Sequence, residues 1–215
     1  MIKACLFDLD GVIVDTAKYH YLAWKRLCNS LGFDLTEAEN EHLKGISRAK
    51  SLDILLEKDG VTLSDAEKVH WMKVKNDWYL ELVEKMTAEE ILPGVRPFFE
   101  SIRGAGLLIA LGSASKNSRL ILEKINMMPY FDAIIDGTLV TLGKPHPETF
   151  LLGAKALGVL PSECIVFEDS LAGVEAARAG NMRSVGVGDP AILTDADFVI
   201  TTFEGQDLSL INRFN

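Results

Sequence analysis

The 215-residue sequence predicts an α/β protein: a parallel sheet with helices on both faces, and a helical lobe inserted after the first strand. Three observations lead there. Short apolar runs recur and end in Asp, Gly or Ser. Amphipathic helical patterns lie between most of them. One long stretch, from about Thr16 to Leu92, carries helical patterns and no convincing strand. Strands alternating with helices imply βαβ units with right-handed crossovers.

The first strand is expected at Ala4–Phe7, followed by Asp8-Leu9-Asp10-Gly11-Val12. In the helical stretch, Thr36-x-x-Glu39 and Ser64-x-x-Glu67 read as capping boxes, in which hydroxyl and carboxylate each satisfy a backbone donor. Ser64–Met86 reads as one long helix with Val69, Met72 and Leu80 among its apolar positions, and Pro93-Gly94 ends the stretch with a turn. A helical block of roughly seventy residues is too long for one crossover. The chain is therefore expected to divide into a core of residues 1–15 and 93–215 and a lobe of residues 16–92. Further strands are expected at Leu107–Leu111, Ala133–Ile135, Ile165–Phe167, Ser184–Val187 and, on a weaker pattern, Phe198–Ile200. Helices are expected at Lys116–Asn126, Pro147–Leu157 and Leu171–Ala179.

Composition excludes several classes of function. With 22 Lys+Arg against 31 Asp+Glu, the formal charge of −9 leaves no general basic face for nucleic acid or anionic lipid. No apolar run approaches the ~20 residues that span a bilayer, and the start turns acidic too early for a signal peptide. Cys5, Cys28 and Cys164 are odd in number, widely spaced and without a CxxC pair, which argues against disulfides or zinc. The expectation is a cytoplasmic monomer with free thiols.

In an open parallel sheet, ligands bind beyond the carboxyl ends of the strands, where loops converge. Those ends carry Asp8 and Asp10, then Gly112-Ser113-Ala114-Ser115-Lys116-Asn117, then Gly143-Lys144-Pro145 downstream of the third strand, then Glu168-Asp169-Ser170. Four carboxylates and one lysine would give this rim about −3, and two like charges ~4 Å apart cost roughly 4 kcal/mol at an effective dielectric near 20. Either some carboxylates are protonated or a cation sits among them. Oxygen ligands without His or Cys suit a hard divalent ion such as Mg²⁺. The Asp8-x-Asp10 spacing suggests one carboxylate attacking phosphorus and a second moving a proton. Ser113 and Lys144 stand ready to hold a phosphoryl group. Gly137 and Gly143-Lys144 are wrongly spaced for a Walker A loop, Gly186-Val187-Gly188 lacks a third glycine, and the four histidines show no metal-ligand pattern.

In their order, Asp8-Leu9-Asp10-Gly11-Val12, Ser113, Lys144 and Glu168-Asp169 resemble the four motifs of the haloacid dehalogenase-like phosphotransferases. The helical block before Pro93 resembles their cap domain. Closer likeness to the sugar phosphomutases of that family lies in Asp15-Thr16-Ala17-x-x-His20, Trp24, Leu43-Lys44-Gly45-Ile46-Ser47-Arg48, Lys75-Asn76-Asp77 and Ser113-Ala114-Ser115-Lys116-Asn117. The resemblance implies a Rossmann-like core with an α-helical cap. It implies Mg²⁺-dependent interconversion of β-D-glucose 1-phosphate and D-glucose 6-phosphate through an aspartyl phosphate, with enzyme-bound glucose 1,6-bisphosphate as intermediate.

The same resemblance implies roles. Asp8 would be nucleophile and metal ligand, Asp10 general acid/base with its carbonyl on the metal, and Asp169 a ligand, with Glu168 beside them as a further metal ligand or as a support for the ligands. Ser113 and Lys144 would hold the transferring phosphoryl group. Arg48, with Lys116 and Asn117, would hold the other phosphate. Thr16, His20 and Lys75 would serve Asp10, cap closure and sugar placement, with Trp24, Ser115 and Ser47 lining the same site. Lys44 and Arg48 lie four apart where Gly45-Ile46-Ser47 opens a helix, whose free amides favour an anion. Two rival functions stand beside it: a sugar-phosphate phosphatase on the same scaffold, which every core motif permits and only the cap argues against, and a phosphoacceptor signalling domain, for which the lobe has no purpose.

Overall fold

The structure is a computed structural model that describes residues 1–43 and 46–215. The expected Lys44 and Gly45 contacts therefore lie outside the described residues. Strands β1 (Ala4–Phe7), β2 (Leu108–Gly112), β3 (Ala133–Ile135), β4 (Cys164–Glu168), β5 (Arg183–Val187) and β6 (Phe198–Ile200) form one sheet in the order β3-β2-β1-β4-β5-β6. Every neighbouring pair is parallel. After β1 the chain builds outward through β2 and β3, then returns to place β4 on β1's other side. The order reverses between β1 and β4, and a crevice opens beyond the carboxyl ends of strands at such a point.

Alternation along the strands feeds two cores. Cys5 and Phe7 of β1, Ile109 and Leu111 of β2, and Ile165 and Phe167 of β4 point to one face. There they meet Phe98, Phe99 and Ile102 of α5 (Val95–Gly104), Ile121 and Leu122 of α6 (Ser118–Lys124), and Leu210 and Ile211 of α9 (Leu208–Asn212). Ala4, Leu6, Ala110, Cys164 and Val166 point to the other face, against Phe150 and Ala154 of α7 (Glu148–Leu157) and Ala176 and Ala177 of α8 (Leu171–Ala179). Helices thus cover both faces, as expected. Phe7 and Phe167 stack with centroids 4.5 Å apart directly beneath the crevice. Such a pair contributes about 0.5–1.5 kcal/mol beyond its buried area.

Between β1 and α5 lie α1 (Ala17–Ser30), α2 (Glu37–Glu41), α3 (Arg48–Lys58) and α4 (Asp65–Val83), and among the described residues no strand. Both capping boxes form: Glu39 N donates to Thr36 Oγ1 and Glu67 N to Ser64 Oγ, each at 3.3 Å, while each carboxylate accepts from its cap residue's backbone N–H. Trp24, Leu27 and Cys28 of α1 pack with Leu35, Leu43, Leu52, Leu55 and Leu56 in a third cluster away from the sheet. Each fully buried leucine there stabilises by roughly 1.5–3 kcal/mol. The two ends of this segment run side by side, since Leu92 N donates to Ile13 O at 2.9 Å and Val14 bridges Ile91.

Two local expectations differ from the structure. The helix expected over Lys116–Asn126 is trimmed to Ser118–Lys124, because Asn117 N donates to Ser115 Oγ (3.2 Å) at the start and Asn126 adopts φ 57° at the end. The apolar pattern of α4 does not mark its buried face. Val69 is 63% exposed, whereas Lys75, Tyr79 and Val83 are buried. One side of α4 borders a cavity, so its pattern follows that wall as well as packing.

Candidate active site

The register sets the site. Phe7 pairs with Phe167 on one side and Leu111 on the other, so Asp8, Glu168 and Gly112 leave the sheet level with one another. Asp8 is buried, and its Oδ2 accepts from Asp10 N at 3.0 Å. The turn then passes through Gly11 at φ +81°, where a Cβ would also collide with the Asp169 carboxylate. Only glycine meets both demands, and the collision shows how closely the Asp10 turn approaches Asp169.

Lys144 Nζ donates to Asp8 Oδ1 at 2.5 Å and also to Glu168 Oε1. The other Glu168 oxygen accepts from Ser170 N (2.9 Å) and Ser170 Oγ (2.8 Å), and Ser170 Oγ in turn accepts from Gly173 N, capping α8. Glu168 is thus held by Lys144 and Ser170 behind the cavity. Burial, with Lys144 and Glu168 opposing one another, brings Asp8 up to about 6. Burial and the neighbouring Asp8 charge bring Asp10 up to about 7. For Lys144 burial pulls downward, but Asp8 and Glu168 outweigh it and hold the amine above the ordinary lysine value. Buried beneath the same wall, Ser113 donates its N–H to Ile135 O (3.0 Å) while its Oγ accepts from Ser115 N (3.1 Å).

A cavity of about 580 Å³ opens above these groups. Of the expected residues, Asp8, Asp10, His20, Trp24, Ser47, Arg48, Lys75, Ser113, Ser115, Lys116 and Asp169 line it. Lys144 and Glu168 lie beneath it. Thr16 stands buried at the start of α1, with Oγ1 lacking a hydrogen-bond partner. Ser47 caps α3, its Oγ accepting from Lys50 N at 3.4 Å. Lys75 Nζ lies 2.9 Å from His20 Nδ1 and 4.5 Å from the Trp24 ring centroid, and the His20 ring stacks on Tyr79 at 4.2 Å. With Lys75 as donor, the His20 ring carries its proton on Nε2. Burial, then the charges of Lys75 and Arg48, hold His20 well below its ordinary value and so neutral at pH 7. Burial and Arg48 likewise lower Lys75 well below the lysine range. Trp24 serves two roles, packing in the third cluster and lining the cavity.

Asn76 was not singled out for a role. It lines the cavity, and its Oδ1 accepts from Arg48 Nη2 (2.6 Å) and from Asn117 Nδ2 (2.9 Å). Asn40 and Thr149 are further buried polar residues on the wall. Isolated neutral side chains carry no spacing signal. Asn76 is the exception, since it stands within the run Lys75-Asn76-Asp77 that carries the family resemblance.

The donor set suits a hard cation. Asp8, Asp10 and Asp169 all line the cavity, all donors are oxygen, and Asp10 Oδ1 is buried with no hydrogen-bond partner. Among the described residues no three His, Cys, Asp or Glu side chains are drawn together as a closed metal cluster. The fit is to a site completed by backbone oxygen and substrate, the usual way of holding Mg²⁺.

Residues 2–181 match the haloacid dehalogenase-like hydrolase family. The chain is 38% identical to the β-phosphoglucomutase of Bacillus subtilis over 214 residues, covering 99% of this chain and 95% of that protein. It superposes on the crystal structure of β-phosphoglucomutase from Clostridium difficile with a TM-score of 0.96 at 41% identity, covering 100% of this chain and 97% of that one. A phosphorylated carbohydrates phosphatase of Thermotoga maritima is 33% identical, over 86% of this chain and 85% of that protein. With the ordered acidic motifs gathered at the β1/β4 crevice, the chain belongs to the haloacid dehalogenase-like hydrolase family of enzymes.

Proposed function

We propose that this enzyme is a phosphomutase that interconverts β-D-glucose 1-phosphate and D-glucose 6-phosphate. The observation that carries the reading is a single cavity lined both by the carboxylates Asp8, Asp10 and Asp169 and by the basic groups Arg48 and Lys116. A mutase must grip one phosphate while transferring the other; a phosphatase need not. The likeness to two β-phosphoglucomutases supports the same reading.

In this mechanism an Asp8 oxygen attacks phosphorus of the bound bisphosphate, forming an aspartyl phosphate as the bond to the sugar oxygen breaks. Asp10, with a carboxyl brought up to about 7 by burial and the neighbouring Asp8 charge, is poised to give that oxygen its proton. In the reverse half-reaction Asp10 takes the proton from the acceptor hydroxyl, which attacks the phosphoryl group and frees Asp8. Ser113 and Lys144 orient the transferring oxygens, and Glu168 keeps Lys144 aimed at Asp8. Mg²⁺, held by Asp8, Asp169 and the Asp10 carbonyl, would supply charge neutralisation at the transferring group. Arg48, Lys116 and Asn117 hold the second phosphate. His20 and Lys75 face the sugar beside Trp24, and Thr16 supports the Asp10 turn. Residues 16–92 act as a cap on the core of residues 1–15 and 93–215. The separate leucine cluster and the adjacent chain crossings at Ile13 and Leu92 support that division.

The alternative is a sugar-phosphate phosphatase, favoured by the Thermotoga relative. Incubation with β-glucose 1-phosphate, Mg²⁺ and trace glucose 1,6-bisphosphate separates the two. The mutase yields glucose 6-phosphate with little free phosphate, and stoichiometric phosphate release would overturn it. Arg48→Ala should slow the bisphosphate step at least tenfold more than phosphorylation of the enzyme by acetyl phosphate, which has no second phosphate. Saturating Mg²⁺, at about 100 times its Kd, should add about 2.7 kcal/mol. That raises Tm by roughly 5–10 °C for a chain of this size, and Asp169→Asn should abolish the shift.

A further inference from the structure

The Asn76 amide joins three parts of the fold through one oxygen. Oδ1 accepts from Arg48 Nη2, at the start of α3, and from Asn117 Nδ2, in the loop that follows β2. Asn76 itself sits on α4 and lines the cavity. Two donors converging on it fix the amide orientation, since the opposite one would set NH₂ against two donors. Among the described residues Arg48 makes no ion pair, so its guanidinium is held by this neutral acceptor and carries its full charge toward the cavity.

We propose that Asn76 is a positioning residue for the phosphate that is not being transferred: its side-chain carbonyl aligns Arg48 and Asn117 across the boundary between the helical segment and the sheet before that phosphate arrives. The inference rests on the mutase reading of the cavity. Its physical basis is the strength of the bond. A neutral carbonyl orients a guanidinium and leaves its remaining N–H groups and its charge available. A carboxylate in the same place would form a charge-assisted, bidentate pair about twice as strong and compete with the incoming phosphate. Ordering both donors in advance also lowers the entropy lost when substrate binds.

The test compares Asn76→Ala and Asn76→Asp with the unaltered enzyme, using β-glucose 1-phosphate with Mg²⁺ and glucose 1,6-bisphosphate. Asn76→Ala should raise KM about tenfold while kcat changes less than threefold. Asn76→Asp keeps the size and the acceptor oxygen but should raise KM further, toward a hundredfold, with the loss easing as salt screens the added charge. A purely structural role gives the opposite order, with Asp restoring what Ala loses. That order, or unchanged KM in both variants, overturns the proposal. The near-isosteric Asp variant keeps the test decisive if Asn76→Ala folds poorly. Arg48→Ala separates the two levels of inference. If Arg48→Ala discriminates between bisphosphate and acetyl phosphate while both Asn76 variants are silent, only the role of Asn76 falls. If Arg48→Ala does not discriminate, the phosphate clamp falls and this inference with it.

Discussion

Asp8→Ala should reduce sugar-phosphate turnover by at least 10⁴-fold, and acetyl phosphate should no longer label the protein. The expectation follows from position. Asp8 is the carboxylate delivered by the end of β1 to the point where the strand order reverses, and its Oδ1 faces Lys144. A covalent mechanism divides one hard displacement into two easier ones, and both use the same oxygen. Glu168 is no substitute, because Lys144 and Ser170 already hold both of its oxygens, and Asp10 is committed to moving the proton. The measurement is steady-state flux together with the mass of the acetyl phosphate-treated protein. Retained flux would remove Asp8 as nucleophile, and a phosphorylated mass at another residue would relocate the chemistry. The fold should survive, since Lys144 keeps Glu168 as its buried partner when the Asp8 carboxylate is removed.

Lys144→Met should instead damage both stability and rate. Lys144 is buried between Asp8 and Glu168, and breaking a buried ion pair by removing one partner typically costs about 3–5 kcal/mol. For a chain of this size that lowers Tm by roughly 6–20 °C. The pH dependence gives the prediction a sign. Without the ammonium that lowers it, the folded-state value of Asp8 rises further above the ordinary carboxylate range, so the native state binds more protons than the unfolded one. Stability of the variant therefore falls as pH rises through the window from about 4 up to that raised Asp8 value. The Tm deficit should be larger at pH 8 than at pH 5. A deficit independent of pH would mean that Lys144 contributes packing and not charge.

Much of this site could be read from the chain because its groups stand at strand ends. An apolar run such as Ala4–Phe7 that stops at Asp8 marks both the strand and the chemistry. The same logic exposed Ser113 after β2 and Glu168-Asp169 at the end of β4. Helical segments are less transparent. On α4 the cavity-facing Val69 and the buried Lys75 invert the usual rule for apolar and charged positions. Lys75 can be buried because its Nζ shares a hydrogen bond with His20 Nδ1 and two aromatic rings flank it, and periodicity encodes none of those partners. Asn76 was hidden for a related reason: a neutral amide acquires meaning only when Arg48 and Asn117 arrive from elsewhere in the chain.

The pairing of β1 with β4 also sets a timetable. Ala4 pairs with Cys164, so the first strand leaves the ribosome about 160 residues before its central neighbour exists. At synthesis rates of about 5–20 residues per second, that wait lasts on the order of ten to thirty seconds. Asp8 meanwhile lacks the ammonium that balances it, which arrives 136 residues later in translation. Nascent chains of this enzyme consequently pass through an interval in which an apolar strand and an uncompensated acidic turn are already made, and catalytic competence is among the last properties that synthesis confers.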